Sequence, residues 1–82
     1  MNHIINELKI MGFVIDDRGQ LKTPMFFEKE SISRKSKEIF KKIARFCILK
    51  SNPVITDEEL IEIVGLDNNS ELQELKDKKY IF

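Results

Sequence analysis

Two side chains of this 82-residue sequence offer a conventional base and nucleophile, and each type occurs once: His3 and Cys47. Hydrolytic or redox chemistry needs a nucleophile, a base and a stabilising group that converge on one point. His3 lies at a chain end, and Cys47 lies in the apolar stripe of a predicted helix. Because nothing in the sequence brings the two together, we expect no catalytic residues and no enzyme activity.

Metal-binding patterns are equally incomplete. A structural zinc site needs about four Cys or His ligands at fixed spacings, which this composition cannot supply. Asp67, Asn69 and Glu71 match the first ligands of a calcium-binding loop. However, Leu72 stands where that loop needs glycine, and Lys78 stands where it needs a bidentate glutamate. We therefore expect neither a bound metal nor another cofactor.

A basic stripe on one predicted helix is a candidate binding surface. The amphipathic helix predicted over residues 33–50 carries apolar side chains on one side and cations on the opposite arc. These cations are candidate contacts to a nucleic acid or to a protein partner: Arg34, Lys35, Lys37, Lys41, Lys42 and Arg45. A solvated helix face is the alternative, because charged residues ordinarily occupy the outer side of such helices.

Two short helices are predicted in the C-terminal part of the chain. Thr56 and Glu59 form a capping box that starts a helix over residues 57–64, and Gly65 ends it. A further helix is predicted over residues 69–78, with leucine side chains facing inward. The sequence therefore predicts two short helices joined by a turn that contains Gly65.

The segment TDEELIEIVGLDNNSELQELKDKKYI, residues 56–81, resembles the helix-turn-helix half of winged-helix DNA-binding domains. In such folds the second helix enters the major groove of DNA. The resemblance therefore implies that exposed polar residues of the turn and second helix contact DNA, and these are Asn68, Asn69, Ser70, Gln73 and Lys76. It also implies that the basic helix over residues 33–50 is the supporting first helix.

The segment departs from this family in two ways. The inward positions of the second helix fall on Glu71 and Glu74, which predicts a turn longer than the common form. A wing normally follows the second helix, whereas the only hairpin expected here lies at the N-terminus.

Charge gives a stronger objection to DNA binding. Between residues 57 and 77, Lys76 is the only base, whereas the acidic residues are Asp57, Glu58, Glu59, Glu62, Asp67, Glu71, Glu74 and Asp77. Such a surface repels phosphate, whose neutralisation supplies much of the affinity of DNA-binding proteins. The sequence therefore disfavours the last helix as the recognition element.

The rest of the chain completes the predicted fold. The apolar spacing of residues 2–11 predicts a short helix, and residues 13–23 predict a β-hairpin. The cluster Met25-Phe26-Phe27 is expected to fill the core. Tyr80-Ile81-Phe82 is expected as a third strand beside residues 13–15, with a flexible tail as the alternative. We therefore predict one domain, residues 1–82, of mainly α class with a small N-terminal β-hairpin (α+β) and a compact, helix-turn-helix-like C-terminal half.

Composition narrows the function classes. Basic and acidic residues number 14 each, so there is no global attraction to nucleic acid or to an anionic membrane. No apolar run approaches the ~18 residues of a membrane span, and a single cysteine suits a reducing compartment, so we expect a cytoplasmic protein without a membrane partner. A chain this short buries only about 60% of its unfolded surface, so a second copy is a further candidate partner.

Two functions remain open at this point. The first is a small, non-enzymatic regulatory interaction domain, such as a phage- or plasmid-encoded transcriptional regulator that binds DNA. The second is a protein-binding inhibitor or adaptor that engages a charged host or partner protein without DNA. Topology favours the first function, and the local distribution of charge favours the second.

Overall fold

Helix α2, Arg34–Lys50, is the longest element and the centre of the fold. The computed structural model describes residues 2–82, and both later helices pack against α2. Ser33 caps its N-terminus, because the Ser33 Oγ accepts a hydrogen bond from the backbone N–H of Ser36 at 3.1 Å. The helix ends at Ser51, which adopts a left-handed conformation just before Pro53. This helix coincides with the one predicted over residues 33–50.

The buried side of α2 forms the core with aromatic residues from both ends of the chain. The Phe40 ring contacts the rings of Phe13, Phe27 and Tyr80, with centroid separations of 6.1, 5.7 and 5.1 Å. All four aromatic side chains are buried. Such clusters contribute strongly to the stability of small cores, so this contact set helps to hold α2 in place.

Helices α3, Asp57–Val64, and α4, Asn69–Asp77, follow and are joined by residues 65–68. The predicted capping box is present: the Thr56 Oγ1 accepts from the Glu59 N–H, and the Glu59 carboxylate accepts from the Thr56 N–H. Gly65 ends α3 with a φ of 82°, a value that a residue with a Cβ rarely adopts. The pair matches the predicted helices over residues 57–64 and 69–78 closely.

A small antiparallel sheet joins the two ends of the chain. Strand β1, Asn2–Ile4, pairs with the strand Val54–Thr56, which is the fourth strand along the chain (β4). On its other side, Ile4 exchanges two backbone hydrogen bonds with Phe82, at 3.0 and 2.8 Å, and Ile5 bridges Ile81. β1 therefore lies between β4 and the last residues of the chain.

This sheet corrects two predictions made from the sequence. Residues 2–11 do not form one helix, because β1 is followed by a 3-10 helix over Glu7–Ile10. The apolar residues that predicted a helix lie in different environments. Ile5 is buried between β4 and Ile81, while Leu8 is exposed. The C-terminal residues form neither a flexible tail nor a strand beside residues 13–15, because their backbone partner is β1.

The N-terminal hairpin is formed by β2, Val14–Ile15, and β3, Leu21–Lys22. The Asp16 carboxylate orders its turn by accepting the backbone N–H groups of Arg18 and Gln20, both at 2.9 Å. This hairpin, together with a chain that is about 52% helical, confirms the predicted class of mainly α with a small N-terminal β-hairpin.

Residues 25–27 enter the core only in part. They lie in the one-turn helix α1, Met25–Glu28, where Phe27 is fully buried but Met25 and Phe26 are exposed. A single helical turn directs successive side chains to different sides, so three adjacent residues cannot all point inward.

Within residues 2–82, no helix has both the length and the apolar character needed to cross a bilayer.

Candidate nucleic-acid interface

Helix α4 has one side against α2 and one polar side facing outward. Leu75 is buried against the core, and Leu72 packs at its edge. Asn69, Gln73 and Lys76 are exposed, with Asn69 and Lys76 beside Leu72, and their spacings of four and three residues place all three within an arc of about 60°. Together these three residues form what we call the α4 polar face.

Two carboxylates of α4 are directed toward α2 and away from the α4 polar face. The Glu71 carboxylate lies 3.2 Å from the Lys35 Nζ, and its side chain is only 12% exposed. The Glu74 carboxylate accepts from the Ser36 Oγ at 2.5 Å and from the Ser33 backbone N–H at 3.3 Å. These are the inward positions that the family resemblance requires, and here they are filled by carboxylates with partners on α2.

Hydrogen bonds keep both carboxylates ionised. The Ser70 hydroxyl, followed by the Lys35 ammonium, lowers the pKa of Glu71 below its ordinary value. The Ser36 hydroxyl, followed by the Ser33 backbone, lowers the pKa of Glu74. Because both charges are engaged at the helix contact, the acidic count from the sequence overstates the negative charge on the exposed side of α4.

The contact between Glu74 and the start of α2 gives a pH-dependent prediction. Replacing Glu74 by glutamine is expected to lower the free energy of unfolding at pH 7, because the ionised carboxylate meets the positive end of the α2 dipole. Folding lowers the pKa of Glu74, so this stabilisation is present above the unfolded pKa of about 4.3 and is lost as pH falls through the folded pKa.

Urea unfolding of the wild type and Glu74→Gln at a series of pH values from neutral to acidic measures this effect. The stability difference between the two proteins should shrink as the solution is acidified. Glu62→Gln, at an exposed position of α3, is the matched control and should stay close to the wild type throughout. A difference for Glu74→Gln that does not change with pH would contradict the assignment.

Three exposed lysines lie at the C-terminal end of α4, and one of them, Lys76, belongs to the α4 polar face. Lys76, Lys78 and Lys79 are exposed, and none of them has a carboxylate within 4 Å among residues 2–82. Lys79 has a φ of 64°, and this left-handed turn directs the chain back so that Tyr80 enters the core. The sequence interpretation missed Lys78 and Lys79, because its charge count ended at residue 77; a count extended by two residues would have found them.

The predicted basic stripe of α2 is not a free surface over its whole length. The Lys35 Nζ pairs with Glu71, and the Lys37 Nζ donates to the backbone carbonyl of Glu28 at 2.7 Å. The charges at this end of α2 are thus partly compensated by α4 and α1.

Further along α2 the same compensation continues. The Lys41 Nζ lies 3.0 Å from a carboxylate oxygen of Glu38. The Arg45 guanidinium donates two hydrogen bonds, at 3.1 and 3.0 Å, to the backbone carbonyl of Gly19 in the hairpin turn. Only Arg34 and Lys42 lack a hydrogen bond or ion pair within the described part of the chain, so the six predicted residues do not act as one patch.

Of the residues predicted to contact DNA from the turn and second helix, Asn68 lies apart from Asn69 and Gln73. The Asn68 side chain donates to the Val64 carbonyl and closes the turn between α3 and α4, so it is half-buried and structural. Asn69 and Gln73 are exposed on the α4 polar face. The Gln73 Nε2 donates to the Asp77 Oδ1 at 2.9 Å. Two of these three predicted residues are therefore placed together.

The two side chains considered for catalysis, His3 and Cys47, are both buried in the fold. The His3 Nε2 is 2.6 Å from the Asp57 Oδ1, and His3 is buried within β1. Burial raises the pKa of the Cys47 thiol to about 11, which keeps it protonated and weakly nucleophilic at neutral pH. Over residues 2–82, no three His, Cys, Asp or Glu side chains are grouped so that they could hold a metal ion.

Comparison with known proteins assigns no family to this geometry. No protein-family model, curated protein sequence or solved structure matches the chain. Function must therefore be argued from the α4 polar face and the elements that position it.

Proposed function

We propose that this chain is a small, non-enzymatic regulatory domain of helix-turn-helix type that binds duplex DNA through the α4 polar face. One observation carries the proposal: Asn69, Gln73 and Lys76 share the exposed side of α4, while Glu71 and Glu74 are held against α2. On one exposed helix face, amide side chains can contact base edges in the major groove while an ammonium group neutralises a backbone phosphate.

The arrangement of the helices supports this proposal. α3 and α4 both pack on α2, and they are joined by the four residues 65–68 with Gly65 at the first position. Helix-turn-helix units have a turn of this length that often contains glycine. Helix α2 then serves as the supporting helix, which leaves α4 as the element free to enter a groove.

The residues after α4 depart from the winged-helix pattern. In winged-helix domains a β-wing follows the second helix. Here Ile81 and Phe82 pair with β1, and no hairpin follows α4 among residues 2–82. The proposal therefore rests on the pair of helices and not on a wing.

Electrostatics favour binding through the C-terminal end of α4. Lys76, Lys78 and Lys79 provide positive charge there and outnumber the exposed Asp77, whereas Glu58, Glu62 and Asp67 are exposed on α3 and the turn. With about three phosphate contacts, the logarithm of the association constant should fall with the logarithm of salt concentration with a slope of about −2.7. The expected affinity is therefore modest and strongly dependent on salt.

Fluorescence anisotropy with a labelled random duplex of about two helical turns tests the proposal. The wild type should bind at low salt, and Lys76→Glu should weaken binding by roughly tenfold and lower the magnitude of the salt slope by about 1. Lys42→Glu is the matched control, because Lys42 is an exposed lysine on α2 without a partner among residues 2–82. It should leave the affinity nearly unchanged.

Two results would contradict this prediction. Absence of any wild-type binding at low salt removes the proposed function. A larger loss for Lys42→Glu than for Lys76→Glu would instead move the contact from α4 to α2.

Binding of a charged protein partner without DNA, as an inhibitor or adaptor, is the second candidate. It is favoured by exposed apolar side chains beside the shallow groove between α3 and α4: Ile61 is 48% exposed and Leu66 is 70% exposed. Exposed apolar residues with a polar rim are typical of protein contacts.

For both candidate functions we place the protein in the cytoplasm, where its buried, unpaired Cys47 remains reduced.

A further inference from the structure

The side-chain amide of Gln73 is oriented by its neighbour one helical turn later. Gln73 lies at the centre of the exposed side of α4, and its Nε2 donates to the Asp77 Oδ1 at 2.9 Å. A primary amide has two N–H donors and one carbonyl acceptor. The bond to Asp77 uses one donor, so one N–H and the carbonyl oxygen remain for a ligand.

The remaining N–H donor and carbonyl acceptor of Gln73 match the groups that one base, adenine, presents in the major groove. Adenine presents the N7 acceptor next to the N6 amino donor, and a glutamine side chain satisfies both with one N–H and its carbonyl oxygen. The amide hydrogen that points away from Oε1 is not needed in that contact and is free for a second acceptor. A carboxylate at the position of Asp77 can therefore hold the amide without competing with the base.

We infer that Gln73 is a specificity-determining residue that recognises adenine in the major groove, and that Asp77 is its positioning residue. The inference rests on the proposed DNA-binding function and adds the base that the α4 polar face selects. It assigns a role to a carboxylate that, by charge alone, opposes DNA binding, because Asp77 is exposed beside Gln73 on α4.

A purely structural pair would behave differently. Gln–Asp hydrogen bonds one turn apart stabilise helices slightly. If that were the whole role of the bond, removing Asp77 would change helix stability and raise overall DNA affinity through the lost negative charge. It would leave the preference between bases unchanged.

The test is a selection from a pool of randomised duplexes, followed by affinity measurements on the selected duplex and on one with its preferred adenine replaced by guanine. The wild type should discriminate between the two on the order of 10- to 100-fold, and Gln73→Ala should lose most of this discrimination. Lys76→Ala is the control, because it should weaken both duplexes about equally.

Two substitutions of Asp77 separate positioning from charge. Asp77→Ala should bind random duplex more tightly than the wild type and yet discriminate less well. Asp77→Asn also loses the charge, but its Oδ1 can still accept from Gln73, so it should bind more tightly and keep the adenine preference. Circular dichroism of each variant checks that α4 remains folded.

The outcomes distinguish this inference from the proposed function. If the wild type binds duplex DNA without an adenine preference, or if Gln73→Ala keeps that preference, the inference is overturned while DNA binding stands. If Asp77→Ala keeps full discrimination, the positioning role is overturned. If the wild type retains no duplex from the pool at low salt, the proposed function itself fails.

Discussion

Replacing Ile81 by alanine is expected to reduce the free energy of unfolding by about 2–5 kcal/mol. Ile81 is only 1% exposed and bridges Ile5 across the sheet that joins the chain ends. The substitution removes buried methyl and methylene groups and leaves a cavity behind the central strand β1. For a domain of this size, such a loss is a large part of the total stability.

Phe82→Ala is the matched control for this prediction. Phe82 is the next residue of the same segment, but its side chain points to the opposite side and is 58% exposed. Its removal should change the stability by no more than about 0.5 kcal/mol. Urea unfolding followed by circular dichroism measures both variants. Equal, small effects at the two positions would mean that the last residues do not join the sheet.

Phe40→Ala is expected to cost about 3–5 kcal/mol of stability. Phe40 is fully buried at the centre of the aromatic cluster and contacts rings from three other parts of the chain. Its loss therefore uncouples α2 from the N-terminal segment, from α1 and from the residues after α4 at the same time. At 25 °C we expect the variant to be largely unfolded, because small domains are only marginally stable.

Phe26→Ala provides the comparison for Phe40→Ala. Phe26 is also a phenylalanine, but it is about half exposed on α1 and has no ring contact in the aromatic cluster. Thermal unfolding should give a midpoint close to that of the wild type for Phe26→Ala and no cooperative transition, or a much lower midpoint, for Phe40→Ala. Similar midpoints for the two variants would contradict the assigned core.

The two capped helices, α2 and α3, could be predicted from sequence because their signals are local. Ser33 caps α2, the Thr56–Glu59 capping box starts α3, and Gly65 ends it. Each signal depends on residues within one helical turn, so it does not require knowledge of the tertiary fold. Element boundaries in this part of the chain consequently agree with the structure to within a residue or two.

The N-terminal segment could not be predicted in the same way. Ile4, Ile5, Leu8 and Met11 have helical spacing, yet β1 forms because its backbone groups find partners in β4 and in residues 81 and 82. Those partners are about 50 and 80 positions away in the sequence, and no local pattern predicts the pairing. Tertiary pairing therefore outweighs a weak local preference for helix.

The candidate site was predictable in its residue types but not in its orientation. Asn69 and Gln73 were identified as exposed polar positions, and the structure places both on the α4 polar face. The engagement of Glu71 and Glu74 by α2 depends on how the two helices pack, which the sequence does not specify. The count of acidic residues therefore included two carboxylates that are engaged by α2 and are not on the exposed side of α4.

The central claim is that DNA contacts the α4 polar face. The most direct test is a titration of isotope-labelled protein with duplex DNA at low salt, followed by two-dimensional NMR of the backbone and side-chain amides. The largest shifts should occur at Asn69, Gln73 and Lys76, including the side-chain amide of Gln73. Shifts centred on Arg34 and Lys42 of α2, or spectra that do not change at all, would contradict the claim.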